Sequence, residues 1–124
     1  MLLAESLTEQ VIGLAIEVHR NTGPGLLEVV YEQCLGFELR RANLEFARQV
    51  LIPARYKGEE LGDGFRADFV VAEQLILEVK SVATILPVHE MQLRTYLRMS
   101  GIRVGLLLNF NAPRLMDGLR RYVM

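Results

Sequence analysis

Little in this sequence can build a disulfide or a soft-metal site. There is one cysteine, Cys34, so no internal disulfide can form, and a reducing cytoplasm is the natural setting. There are only two histidines, His19 and His89, and no cysteine cluster, which argues against structural zinc. Tryptophan is absent, and lysine occurs only at Lys57 and Lys80. The net charge of −1 excludes a strongly basic, sequence-blind nucleic-acid coat. Long apolar runs are also missing. The stretch from Val104 to Leu108 is far too short to span a bilayer. Met1-Leu2-Leu3-Ala4-Glu5 shows no basic n-region followed by an apolar core, so no signal peptide is expected.

What remains is globular. A chain of 124 residues with 51% hydrophobic and 23% charged residues suits one domain, residues 1–124. A domain of this size buries roughly two thirds of its unfolded surface. Basic residues are almost all arginine, which suits phosphate contacts but also follows from genome composition.

Periodicity orders the elements. Leu7, Val11, Leu14 and Val18 mark a first helix over 6–20, with Ser6 and Glu9 as a capping box. Asn21-Thr22-Gly23-Pro24-Gly25 stops it. A second helix is expected over 27–42, with Leu27, Val30, Cys34 and Phe37 on its apolar face and Asn43 as its stop. Residues 44–56 alternate in part, and Pro53 makes that strand an edge, bulged or ending there. Turns are expected at 57–60 and at Asp63-Gly64. Residues 65–71 and 75–81 read as two strands joined by Ala72-Glu73-Gln74. A third helix over 88–100 ends at Gly101, a buried strand covers 103–110, and a last helix covers 115–122. The order α-α-β-β-β-α-β-α implies an α/β fold, a mixed four-stranded sheet flanked by helices.

Two of those strands carry charge where apolar residues should dominate. In the strand over 75–81, Leu75, Leu77 and Val79 share one face, and Ile76, Glu78 and Lys80 share the other. Asp68 lies in the preceding strand, and a hairpin can set it beside Glu78. Two carboxylates in an apolar setting repel unless a cation lies between them. Mg²⁺ accepts such a set, because it takes oxygen ligands and keeps several waters. A lysine beside it could orient water or offset developing charge. The plain structural reading is an internal salt bridge from Lys80 to one carboxylate, without metal. Glu28 could add a third carboxylate, or be a first-turn glutamate favoured by the helix dipole. Tyr31 is its neighbour on the same helical face. His89, Gln92 and Tyr96 make a polar stripe on the third helix, open to a surface or a functional reading.

Gly25, Glu28 and Tyr31 spell Gly-x-x-Glu-x-x-Tyr, and the chain resembles the bacterial GxxExxY protein family over essentially its whole length. That family resembles the PD-(D/E)xK nuclease superfamily, with its restriction-endonuclease-like core. Asp68 then matches the Asp position and Glu78-Val79-Lys80 the Glu-x-Lys. Glu28 matches the helical glutamate, and Gln92-Leu93-Arg94-Thr95-Tyr96 the Gln-x-x-x-Tyr of RecB-like members. Ala67 stands where the eponymous proline would be. The resemblance implies cleavage of nucleic acid, DNA in preference to RNA, with Mg²⁺ or Mn²⁺. Asp68, Glu78 and Glu28 would be metal ligands, with Lys80 positioning the nucleophile. Tyr31, His89, Gln92 and Tyr96 would support the site or touch the substrate. A homodimer would help so small a protein span a duplex. The alternative is a catalytically silent nucleic-acid-binding or protein-interaction module on the same fold. A metal protein of other purpose, such as iron handling, suits this all-oxygen set less well.

Overall fold

The computed structural model describes residues 4–124. Residues 1–3, on which the expectation of no signal peptide partly rests, lie outside the described residues. Helices α1 (Glu5–Thr22) and α2 (Glu28–Arg41) come first. Strands β1 (Phe46–Tyr56), β2 (Glu59–Val71) and β3 (Leu75–Lys80) follow. Helix α3 (Pro87–Ser100) then leads to β4 (Val104–Asn109), a short 3-10 turn (Leu115–Gly118) and β5 (Leu119–Val123). The strands form one mixed sheet in the order β1-β2-β3-β4-β5. β3 and β4 are parallel, joined by the crossover through α3, and the other neighbours are antiparallel.

The sheet has a core on each face. Leu75, Leu77 and Val79 of β3 pack with Val11, Ala15 and Val18 of α1 and Tyr31, Leu35 and Leu39 of α2. Ile76 packs instead with Leu93 and Leu97 of α3. This is the two-faced partition that side-chain alternation along β3 predicts. β3 and β4, central in the sheet, have no exposed residue.

The expected last helix, the α1 capping box and the α2 apolar face are corrected here. The expected last helix is the 3-10 turn followed by β5, so the sheet has five strands and not four. The physical reason is the edge of β4. All six of its residues are buried, and β5 pairs with it from Val104↔Val123 to Leu108↔Leu119. Without β5, that edge would carry main-chain groups with no partner. Second, α1 begins at Glu5 behind Ala4, whose side chain offers no cap, so Ser6 and Glu9 form no capping box. Third, α2 buries Tyr31, Leu35 and Leu39, leaving Leu27 and Phe37 exposed. Tyr31 sets that rotation. Its ring stacks on Phe110 with centroids 4.7 Å apart. Its hydroxyl donates to the Gly23 carbonyl at 2.6 Å and accepts the Leu26 N–H at 3.1 Å. At the other end, Asn43 stops α2 as expected. It takes φ 58°, and the Asn43 and Leu44 N–H groups reach back to the Arg40 and Leu39 carbonyls.

The β1–β2 hairpin turns at Lys57-Gly58, both at positive φ. Asp63-Gly64 makes no separate turn and lies within β2. Pro53 sits where the β1–β2 register shifts, between Ile52 and Ala54, on the edge strand as its missing N–H requires. Gly64 faces that bulge at φ 74°, where a Cβ would overlap the β1 main chain from Ile52 to Ala54. Gly64→Ala is therefore expected to cost about 2–3 kcal/mol. Urea denaturation checks this. A loss below 0.5 kcal/mol would mean that the two strands can separate freely there.

Candidate functional site

The β2–β3 ladder starts at the hairpin with Val71↔Leu75 and Val70↔Ile76 and ends at Phe69↔Leu77. Past that pair, side chains replace carbonyls as acceptors. The Asp68 N–H donates to Glu78 Oε2 at 2.8 Å. The Val79 N–H donates to Asp68 Oδ2 at 2.8 Å. Each carboxylate is thus fastened to the main chain of the opposite strand. That leaves Glu78 Oε1 and Asp68 Oδ1, the latter carrying only a long hydrogen bond from Gln49, to face a ligand.

Two acids this close, with Glu78 only 4% exposed, resist ionising together. Burial pushes the Glu78 carboxyl up to about 8, and the Asp68 charge adds to the effect. The Asp68 N–H and the Lys80 ammonium oppose it. Asp68 is also raised, by burial first and by the charge of Glu32, against the Val79 N–H, Lys80 and Gln49. Lys80 ends β3 opposite Asn109 of β4. It attracts both carboxylates, yet among the described residues it closes no direct ion pair with either. The buried pair is therefore not neutralised by its own lysine in a tight salt bridge.

The other residues singled out in the sequence divide. Tyr96 of α3 is half-buried near the pair. Its hydroxyl pKa is raised by burial first and then by the charges of Glu78 and Asp68. Its ring lies tilted against Phe65, with centroids 5.7 Å apart. Gln92 is exposed one turn earlier. His89 closes the start of α3, its Nδ1 accepting the Leu86 N–H at 3.0 Å. Tyr31 holds the loop before α2, as described above. Glu28 reaches the chain just past Lys80, where its Oε2 accepts the Ser81 N–H at 3.4 Å. The Ser81 hydroxyl donates to the Leu26 carbonyl at 2.6 Å and closes that junction. Among the described residues, no group of three or more His, Cys, Asp and Glu side chains is arranged to hold a metal ion.

Two residues that the sequence reading did not single out stand beside the pair. Glu32 is buried, 8% exposed, and its charge acts on both Asp68 and Glu78. Gln49 of β1 donates from Nε2 to Glu32 Oε1 at 2.7 Å and to Asp68 Oδ1 at 3.4 Å. A signal for Glu32 was present. Once Tyr31 is taken as core, the helical stripe through Tyr31, Leu35 and Leu39 carries Glu32 inward with it. Gln49 had no such signal, because its contacts depend on a break in the β1 ladder.

A hard divalent cation fits the donor set. Asp68 Oδ1, held only by a long bond from Gln49, and Glu78 Oε1 are both carboxyl oxygens, and among the described residues no cysteine or histidine acts on the pair. A family model described as the PD-(D/E)XK nuclease superfamily matches residues 5–122. No curated protein and no solved structure gives a significant match.

Proposed function

The chain belongs to the PD-(D/E)XK nuclease superfamily, and from that premise we propose that it is a Mg²⁺- or Mn²⁺-dependent nuclease acting on DNA rather than RNA, of the GxxExxY type. Such nucleases generally depend on divalent metal and act on nucleic acid. The observation that carries the reading is the Asp68–Glu78 pair. Both carboxylates are fastened to main-chain N–H groups, Glu78 is nearly sealed, and among the described residues the adjacent Lys80 is not consumed in an ion pair.

In this reading Asp68 and Glu78 would hold the metal, and Glu28, from the first turn of α2, would assist directly or through water. A bound divalent ion supplies Lewis acidity, lowering the pKa of water and offsetting charge on phosphate oxygens. Lys80 orients the attacking water and stabilises charge that builds on the phosphate. Tyr96, beside the pair, steadies the site, and Gln92 meets substrate at the surface.

A second reading has one observation in its favour: among the described residues, no group of three or more His, Cys, Asp and Glu side chains is arranged to hold a metal ion. That arrangement suits a binding module without catalysis. Cleavage of labelled single-stranded, duplex and branched DNA and of RNA, with Mn²⁺ or Mg²⁺, separates the two. The expected result is metal-dependent cutting, abolished by EDTA and by a folded Asp68→Ala variant. No cutting on any substrate by folded, metal-loaded protein would overturn the nuclease and leave the binding module.

A further inference from the structure

We infer that Gln49 is a positioning residue for the metal-binding pair, with its amide held in the working orientation by Glu32; the inference rests on the metal-site reading above. The backbone supplies the first argument. Gln49 lies inside β1, yet it takes φ 52°, in the left-handed region that side chains other than glycine and asparagine rarely adopt. The β1–β2 register runs Arg48↔Phe69 and then Val50↔Ala67, with no pairing of Gln49 to Asp68. The ladder is thus interrupted at the residue that would face Asp68. Arg66 holds the interruption open from β2, donating from Nη1 to the Gln49 carbonyl at 3.2 Å.

Packing does not demand a glutamine there, because Gln49 is exposed. Glycine would take the same backbone without steric cost. What glutamine adds is its amide. The one nitrogen carries two protons and spends them on two carboxylates, Glu32 and Asp68. Glu32 decides which end of the amide faces inward. It accepts the shorter bond from Nε2, and it is itself fixed by Arg48, whose Nη2 lies 3.1 Å from Glu32 Oε1. If the amide turned over, its carbonyl oxygen would face Asp68 and repel it. Arg48, Glu32, Gln49 and Asp68 therefore form a chain in which each group orients the next. The Val79 N–H holds one Asp68 oxygen and Gln49 approaches the other. Such outer partners set the direction of a carboxylate's lone pairs, which governs metal affinity.

The test is Mn²⁺ affinity, measured by calorimetry on the full chain, with melting temperature as the check on folding. Native protein, Gln49→Gly, Gln49→Asn, Glu32→Gln and Asp68→Asn are compared. Gln49→Gly keeps the backbone and removes the amide. It is expected to melt at or above the native temperature and to bind Mn²⁺ about 10- to 100-fold more weakly. Gln49→Asn also tolerates positive φ, but its side chain is too short to span both acids, so a similar loss is expected. It serves if the glycine variant does not fold. Glu32→Gln should give a smaller loss, because the Gln49 amide remains but is no longer held one way. Native affinity, within twofold, in the folded glycine or asparagine variant would overturn the positioning role and leave Gln49 as a residue of the interrupted ladder only. If the native protein itself binds no more Mn²⁺ than Asp68→Asn, the metal-site reading fails, and the inference with it.

Discussion

Lys80→Ala is expected to lower cleavage at least about 100- to 1000-fold while leaving the fold and Mn²⁺ binding in place, the range seen when one preorganised charge-stabilising group is lost. Lys80 ends β3, half-buried, with the parallel neighbour β4 holding its main chain opposite Asn109. Asn109 in turn pins the following loop, accepting the Val82 N–H at 3.1 Å and donating to the Val82 carbonyl at 2.9 Å. The lysine main chain is thus fixed on both sides, and truncating the side chain removes a cation without loosening the strand. Asp68→Ala should act differently. On the proposed reading it removes a metal ligand, and it also removes the acceptor of the Val79 N–H, so metal binding and activity should fall together. Single-turnover cleavage at saturating Mn²⁺ distinguishes the two. Lys80→Ala activity within tenfold of native would exclude the lysine from the chemistry.

The second large effect concerns stability without metal. Glu78 titrates near 8 in the folded chain, because burial and Asp68 penalise its charged form, against an ordinary value of 4.5. An acid with a raised folded-state pKa keeps a proton that the unfolded chain has already released. Between about pH 4.5 and pH 8 the folded state therefore binds more protons, and stability falls as pH rises through that window. Below it, both states are protonated and the loss disappears. Asp68, also raised, contributes in the same direction. At about 1.4 kcal/mol per pKa unit and about 4 °C per kcal/mol for a domain of this size, metal-free protein should melt roughly 14 °C lower at pH 8 than at pH 5. If the pair holds the metal as proposed, added Mn²⁺ should recover much of that at pH 8, in a concentration-dependent way, because a ligand of the folded state alone stabilises it.

Glu78→Gln is the matching control. The glutamine oxygen can still accept the Asp68 N–H, and the charge is gone. This variant should melt above native protein at pH 8 without metal, lose most of the pH dependence, and gain nothing from Mn²⁺. Scanning calorimetry at both pH values, with EDTA and with Mn²⁺, measures all three. A native melting temperature that is flat from pH 5 to pH 8 would mean that the pair ionises freely, with water reaching both oxygens.

Much of this site was legible in the chain because strand geometry is local. Alternation put Glu78 and Lys80 on the face opposite Leu77 and Val79, and a three-residue turn returned β2 alongside β3 so that Asp68 met Glu78. The two-sided burial of β3 and the interruption of β1 at Pro53 follow from the same short-range rules. Helix phase was less secure. The apolar residues Leu27, Val30, Cys34 and Phe37 fit a stripe as well as Tyr31, Leu35 and Leu39 do. Stacking on Phe110, from the far end of the chain, selects the second and carries Glu32 inside.

By itself, the sequence determined the two core faces of β3, the acid–acid–lysine set at the end of that strand, and the stops at Asn43 and Gly101. These depend on side-chain period and on backbone torsions that only certain residues accept. The tertiary structure alone decided that residues 119–123 become a strand, since an unpaired edge of β4 costs more than a short helix returns. It also decided that Glu32 and Gln49, not Glu28, stand next to Asp68. Those contacts span 17 to 36 positions of sequence and arise only when α2 docks on a sheet whose edge-strand ladder is interrupted at Gln49. Local propensity has no access to that event, because the energy that fixes it is contributed by the partner surface.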